Sequence, residues 1–384
     1  MKAVIAIDSF KGSLSTWEAG NAVKEGILHI YPDAQTVIVP LADGGEGTSE
    51  VIVSATNGIL RTIPVRDPLG RMIMASYGIT GNTAVIEMAS ASGITHLKKE
   101  ELNPLDTTTY GVGELIADAI HNGAREFIIG LGGSATNDGG IGMLSVLGFE
   151  FQDQNGNPVP FGAKGLQSLA KIRTENRLPV LAECHFSVAC DVKNPLCGPN
   201  GCSAVFAPQK GGTEETIPLM DTWLSHYAGL TQKIYPNTDA NTKGCGAAGG
   251  LGFAFLSYLN AELRSGIELV MEATKLEEQI KDADIVITGE GRLDSSSCMG
   301  KAPSGVAALA KKYGKPVIAL AGCVTEEASA LHQYGIDEFF PIIPAPCTLT
   351  DAMNKDNASR NLTRTVEQIF RLCQTIGTMG RSFL

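Results

Sequence analysis

The chain predicts an α/β fold, a doubly wound parallel sheet interrupted by a second, smaller α/β domain, on three observations. Apolar runs of buried-strand type alternate with helix-length segments near both ends of the sequence. Between them, residues 59–88 read as short alternating runs joined by turn residues, which is hairpin chemistry. Glycine supplies 44 of 384 residues, well above the usual ~7%, so many backbone positions need a left-handed conformation or close approach to a neighbour.

In chain order, Lys2–Ile7 is a strand followed by a loop at Asp8–Gly12. Ser15 with Glu18 forms a capping box, starting a helix that runs to about Tyr31 and stops at Pro32. Thr36–Val39 is a second strand, and the glycine loop Asp43–Thr48 opens a helix to about Thr56. The runs RTIPVRD, MIMASYGIT and TAVIEMA are strands, separated by Pro68-Leu69-Gly70 and Gly81-Asn82. Thr108–His121, Glu126–Gly130 and Asp138–Leu147 restore a helix–strand–helix rhythm. Residues 149 to about 267 are irregular, with one strand at Phe186–Ala189 and two helices. The parallel pattern resumes from Leu276 to Pro344, through DIVITGEG, KPVIALAG and DEFFPII. Residues 1–60, 107–148 and 268–384 are therefore assigned to the doubly wound domain. Residues 61–106 and 149–267 form the inserted one, with the active site expected in the cleft between them.

Composition narrows the function. Hydrophobic residues make up 43% and charged residues 18% of the chain, so it is globular rather than disordered. A net charge of −11 disfavours nucleic-acid and anionic-membrane binding, which need a basic face, but leaves room for a local basic pocket. No apolar run reaches the ~20 residues of a membrane span. The N-terminal run stops at Asp8, too short for a secretory signal, so a cytoplasmic protein is expected. Nine scattered cysteines without a C-x-x-C pair read as reduced thiols, and six unclustered histidines disfavour a zinc site.

Five loops carry the candidate chemistry, four of them directly after a strand, where open α/β sheets bind ligands. They are Asp8–Gly12, Asp43–Thr48, Gly130–Gly140, Asp191–Pro195 and Thr288–Asp294. A single strand-end acid is most often a turn or helix cap; several, each beside glycines or a base, are harder to dismiss. Gly130–Ala135 and Gly244–Gly249 formally fit dinucleotide fingerprints. The first lacks a ribose-binding acid at the end of a following strand, and the second follows no convincing strand. The 130–140 loop does offer consecutive backbone N–H groups with the Ser134 and Thr136 hydroxyls, an anion cradle suited to phosphate. No Walker A pattern is present. Phosphoryl transfer needs cations for the phosphates, carboxylates for Mg²⁺ and a base near the acceptor hydroxyl. Lys11, Lys210, Arg292 and Lys301 are isolated bases in glycine- or proline-bearing loops, and Asp43, Asp191, Glu290 and Asp294 are the carboxylates. No G-x-S-x-G elbow supports nucleophilic catalysis.

Seven segments together resemble the bacterial glycerate kinases that transfer phosphate from ATP to D-glycerate, the class I glycerate 2-kinases. They are Asp8-Ser9-Phe10-Lys11, Ala42–Thr48, Gly132–Gly140, Ala189–Val192, Pro208–Gly211, Gly246–Gly250 and Thr288–Asp294, in the family's order. Ile7 departs from the proline usual before Asp-Ser. The resemblance implies a flavodoxin-like domain, ATP with Mg²⁺ as cofactors, glycerate 2-phosphate as product and a place in glyoxylate, glucarate or galactarate breakdown. From its place after the strand Phe186–Ala189, Asp191 is the expected base, the alternatives being that it only caps the turn before Asn194-Pro195 and that Asp43 is the base; Lys11, Asp43 and Arg292 are also expected to be catalytic. Gly132, Gly133, Ser134, Thr136, Asn137, Asp138, Lys210, Gly289 and Lys301 are expected to bind nucleotide. Asp43 with Glu290 or Asp294 would hold Mg²⁺. Two other classes compete: an NAD-linked hydroxyacid oxidoreductase, which the poor fingerprint disfavours, and a two-lobed binding protein without turnover.

Overall fold

Thirteen strands build the sheets of the computed structural model, which describes residues 1–298 and 300–380. In chain order they are β1 Lys2–Ile7, β2 Gln35–Ile38, β3 Ile59–Arg66, β4 Met72–Thr80, β5 Thr83–Glu87, β6 Glu126–Gly130 and β7 Glu150–Gln152. They continue as β8 Lys171–Arg173, β9 His185–Ala189, β10 Glu262–Arg264, β11 Ile285–Leu293, β12 Val317–Val324 and β13 Glu338–Pro341. The chain divides into two units, Met1–Asp43 with Val270–Leu384, and Gly44–Leu269.

The first unit holds a five-stranded, all-parallel sheet in the order β13-β12-β11-β1-β2. The continuous apolar run of β1 suits a central strand covered on both faces. Ala3, Ile5 and Ile7 pack into a core with Ala19, Val23 and Ile27 of the helix Thr16–Ile30 and Leu362, Val366 and Phe370 of the C-terminal helix Lys355–Gly380. The first of these helices starts where its capping box places it: Ser15 accepts from the Glu18 N–H, and Glu18 from the Ser15 N–H. The two helices meet closely at Gly26, where a Cβ would lie 2.6 Å from the Thr363 carbonyl. The helix Ala302–Lys312 packs on β11, β1 and β12. Renumbered within the unit, the strand order is 2-1-3-4-5, the flavodoxin-like arrangement. The chain winds outward from β1 to β2 in one direction and from β11 to β13 in the other. The switch point therefore lies between β1 and β11, and ligands are expected outside the carboxyl ends of those two strands.

The second unit holds a mixed sheet in the order β10-β9-β6-β5-β4-β3. β3, β4 and β5 form the antiparallel meander that the turn residues predict, with Asp67–Gly70 and Gly81-Asn82 as its turns. β5, β6, β9 and β10 are parallel, and β7 and β8 form a separate ribbon. A large core of both aliphatic and aromatic residues fills this unit, including Phe127 stacked on Phe186 at 4.6 Å.

Two domain expectations change. Residues 107–148 belong to the second unit, because β6 pairs between β5 and β9 and not with the flavodoxin-like sheet. Residues 44–60 go with it, since the helix Thr48–Thr56 packs on β4 and β5. The insertion is thus one continuous segment, and it is the longer unit, not the smaller. Local strand–helix rhythm is the same in both sheets and carries no information about which sheet a strand joins. Among the described residues no helix is long and apolar enough to cross a membrane.

Candidate functional site

The switch point of the first unit concentrates charge. The Asp8 N–H donates to the Gly289 carbonyl at 2.9 Å, so the first residue beyond β1 is still held against β11. Its carboxylate accepts the Ser9 N–H at 2.6 Å and is only 7% exposed. Burial lifts the Asp8 pKa from 3.8 to about 7. The Ser9 N–H opposes that rise, Asp43 adds to it, Lys11 opposes it and Glu290 adds to it. Lys11 reaches across to Asp43, Nζ to Oδ2 at 3.0 Å. Burial pulls the Lys11 ammonium down, but Asp43, Asp8 and Glu290 outweigh it and the pKa ends above the ordinary lysine value. Glu290 is buried enough to raise its own pKa; the Ser297 hydroxyl donating at 2.6 Å and Lys301 at 3.9 Å restrain that shift. Arg292 pairs with Asp294 at 3.2 Å. Lys301 is the N-cap residue of the helix Ala302–Lys312. The sequence-predicted Lys11, Asp43, Glu290, Arg292, Asp294 and Lys301 thus all stand at the carboxyl ends of β1, β2 and β11.

Gly289, expected to bind nucleotide, has a packing role in this structure. It lies inside β11, where a Cβ would meet the Leu320 carbonyl at 2.1 Å, so glycine there serves strand packing. Asp8, whose loop the sequence marked, received no role from sequence reasoning; its signal is an acid immediately after a fully apolar strand.

A stability consequence follows from Asp8. Between pH 3.8 and about 7 the folded chain retains a proton that the unfolded chain has released, so this carboxyl costs stability as pH rises through that window. Asp8→Asn should raise the stability of the metal-free protein at pH 8 by on the order of 1–3 kcal/mol, with the gain vanishing toward pH 4. Urea unfolding at both pH values measures this, and an Asn variant no more stable than wild type at pH 8 contradicts the burial assignment.

In the second unit the 130–140 loop leaves β6 with Gly132 and Gly133 exposed and Ser134 half-buried. Gly133 takes φ +76°, and its carbonyl accepts the Ile94 N–H at 2.8 Å. Beyond Ser134 the loop dives inward, and Thr136, Asn137 and Asp138 are fully buried. Asp138 therefore does not contact nucleotide as expected. It gathers five hydrogen bonds from Thr108, Thr109, Gly140 and Gly142, the shortest 2.8 Å from the Thr109 N–H, and burial raises its pKa. It is a buried clip for the loop. Asn137 is likewise internal, donating to the Ser203 hydroxyl at 2.9 Å. The Gly244–Gly250 run packs directly beneath: a Cβ on Gly249 would sit 2.0 Å from the Thr136 carbonyl, and the Gly139 N–H donates to the Gly249 carbonyl at 2.9 Å. Its glycines let two loop backbones touch, which accounts for a fingerprint-like pattern without a dinucleotide.

Lys210 is also internal, 2% exposed, with Nζ 2.7 Å from both Ser134 Oγ and the Thr136 carbonyl. Asp191 is exposed beyond the end of β9, where Oδ1 accepts the Gly266 N–H at 3.3 Å at the start of the helix Gly266–Ala273. Glu87, the last residue of β5, was missed by sequence reasoning. It accepts the N–H groups of Gly47 (3.2 Å) and Ser49 (2.8 Å), so the start of the helix Thr48–Thr56 is already occupied by a carboxylate of the chain. The Asp43–Thr48 loop is thereby an organised element and its helix start is not an open anion site.

Comparisons with known proteins identify the family. The family model described as "Glycerate kinase family" matches residues 3–374. A protein of Escherichia coli (strain K12) named glycerate 2-kinase is 49% identical over 373 residues, covering 95% of this chain and 98% of the relative. A glycerate kinase of Bacillus subtilis (strain 168) is 45% identical over 381 residues, covering 99% of both. A crystal structure from Salmonella typhimurium LT2, described as "putative glycerate kinase 2", matches with a TM-score of 0.90 at 46% identity, covering 98% of this chain and 99% of that one. Charged groups at a flavodoxin-type switch point, an ordered glycine loop and full-length similarity converge on one assignment: the chain is an enzyme of the glycerate kinase family.

Proposed function

We propose that the enzyme transfers the γ-phosphoryl group of ATP to the 2-hydroxyl of D-glycerate with Mg²⁺, by in-line displacement, in the cytoplasm and in organic-acid catabolism. The observation that carries this reading is the Lys11–Asp43 pair flanked by Asp8 and Glu290 at the switch point. A cation for phosphate and carboxylates for a metal stand together where this fold binds ligands. The 2-position follows the printed name of the Escherichia coli relative.

The donor chemistry fits Mg²⁺. Asp43, Glu290 and Asp294 offer only carboxylate oxygens. Among the described residues no cluster of three or more His, Cys, Asp or Glu forms a protein-only cage. Mg²⁺ suits such a site, since it binds through one or two carboxylates and otherwise keeps waters and substrate phosphates. When bound it would neutralise phosphate charge. Lys11 orients and neutralises a phosphate oxygen, and Arg292, more than half exposed, offers a second cation. In the second unit, Gly132, Gly133 and Ser134 present backbone N–H and hydroxyl donors to an anion. Asp191 accepts the proton of the glycerate hydroxyl, with its carboxylate oriented by the Gly266 N–H that Oδ1 accepts.

The direct test is release of ADP from ATP and Mg²⁺ on adding D-glycerate, with D-lactate as the control acceptor. Lactate keeps the 2-hydroxyl but lacks the terminal one, and a site built to bind hydroxyls leaves its own groups unpaired around it. Turnover of glycerate at least ~10²-fold faster than lactate is expected. A nicotinamide absorbance change with glycerate, or binding without ADP release, contradicts the proposal.

A further inference from the structure

Lys210 is a cation with no carboxylate in hydrogen-bonding contact among the described residues, placed where water does not reach it. Its Nζ donates to Ser134 Oγ and to the Thr136 carbonyl, both at 2.7 Å. Its titratable neighbours are Cys202, from the helix Cys202–Phe206, and Asp138 on the loop. The Cys202 thiol is pushed up to about 11 by burial and stays neutral. Asp138 is committed to its five donors. The helix Thr216–Ile234 faces the same interior with Met220, beside Asn137. Burying a lysine this way is costly, and packing alone does not require it.

Ser134 gives the reason. An ammonium only donates, so the Ser134 oxygen must accept, and its own proton points elsewhere. No acceptor for that proton stands among the described residues, and Ser134 is half-buried beside the exposed Gly132 and Gly133. We propose that Lys210 is a positioning residue that fixes Ser134 as an outward, polarised O–H donor to an anionic oxygen of the ligand, phosphate or carboxylate. This rests on the reading of the 130–140 loop as the anion-binding element. It replaces the expectation that Lys210 itself touches phosphate, which its burial forbids.

Burial lowers the Lys210 pKa to about 8, Cys202 and Asp138 opposing. Below that value the ammonium holds Ser134; above it the neutral amine can accept, and Ser134 is free to turn its proton inward. Ligand affinity should therefore decline as pH rises from 7 to 9.

Calorimetric titration of ATP and of D-glycerate, each alone, tests this without relying on turnover. Wild type, Ser134→Ala, Lys210→Met, Lys210→Arg and the Ser134→Ala/Lys210→Met pair are compared at pH 7 and pH 9. At pH 7 each single change should weaken one of the two anions by about tenfold, and which one is weakened tells whether Ser134 meets phosphate or carboxylate. The double variant should lose no more than the worse single. Wild type should lose several-fold more between pH 7 and 9 than Ser134→Ala does, and Lys210→Arg, charged throughout, should change no more than Ser134→Ala. Losses that multiply in the double variant, or Ser134→Ala binding as tightly as wild type, overturn the proposal. So does a wild type that binds neither anion. If Lys210→Met does not fold, the pH comparison of wild type with Ser134→Ala decides alone. Wild type that shows the pH-dependent binding but releases no ADP sinks the activity reading and leaves this one standing.

Discussion

Asp191→Asn is expected to lower kcat by about 10²–10⁴-fold while the fold holds, the range that a lost general base typically costs. The substitution is close to isosteric, and the structure shows why it leaves the local turn in place. Asp191 Oδ1 accepts the Gly266 N–H at 3.3 Å, and an asparagine carbonyl oxygen accepts that bond equally well. What disappears is the negative charge and the ability to take a proton. KM for ATP should change little, because the loss concerns the acceptor hydroxyl. Stopped-flow or steady-state ADP release, beside a thermal melt that matches wild type, measures it. Turnover within a few-fold of wild type would reduce Asp191 to a cap on the helix Gly266–Ala273.

Lys11→Met is expected to lower kcat/KM for ATP by about 10²–10³-fold. A positioned cation or donor at a developing charge typically contributes about 3–4 kcal/mol in a partly dehydrated site. The substitution keeps the aliphatic stem and removes the ammonium 3.0 Å from Asp43. It has a second, separable consequence. Lys11 is one of the groups that hold the Asp8 pKa down. Without it, Asp8 should retain its proton above pH 7 in the metal-free protein, a shift readable by NMR titration of the Asp8 carboxyl carbon. Lys11→Arg should recover part of the activity and all of the Asp8 titration. An unchanged kcat/KM in a folded Lys11→Met variant would make the Lys11–Asp43 pair a surface ion pair of the ordinary weak kind.

The flavodoxin-like sheet was legible because its central strands carry buried apolar runs, AVIAI in β1, the IVI that opens β11 and VIALA in β12. The Ser15–Glu18 capping box and Pro32 bracket the first helix, and β6, β9 and β11 fall within a few residues of their expected spans. Sheet membership was not legible. The segment around β6 has the same rhythm as the flavodoxin-like unit, and its pairing with β5 and β9 is a long-range fact. Residue types at strand ends were legible, and Lys11, Asp43, Glu290, Arg292 and Asp294 stand at the carboxyl edge of the sheet. Burial was what the linear pattern hid. Lys210 and Asp138 look in sequence like ligand contacts, whereas one braces the loop from beneath and the other ties it to Thr109. Glu87 was invisible for the opposite reason: an acid at the end of a hairpin strand looks like a solvated residue until the Gly47 and Ser49 amides are seen to meet it.

The most direct test of the central claim is the ³¹P spectrum, proton-coupled, of the product formed from ATP, Mg²⁺ and D-glycerate. Phosphorus on the 2-oxygen couples to a single carbon-bound proton and appears as a doublet; on the 3-oxygen it couples to a methylene pair and appears as a triplet. The account predicts a new doublet growing in step with ADP, absent when D-glycerate is omitted. A triplet would assign the wrong hydroxyl, and loss of ATP to inorganic phosphate with no ester signal would contradict transfer to glycerate altogether.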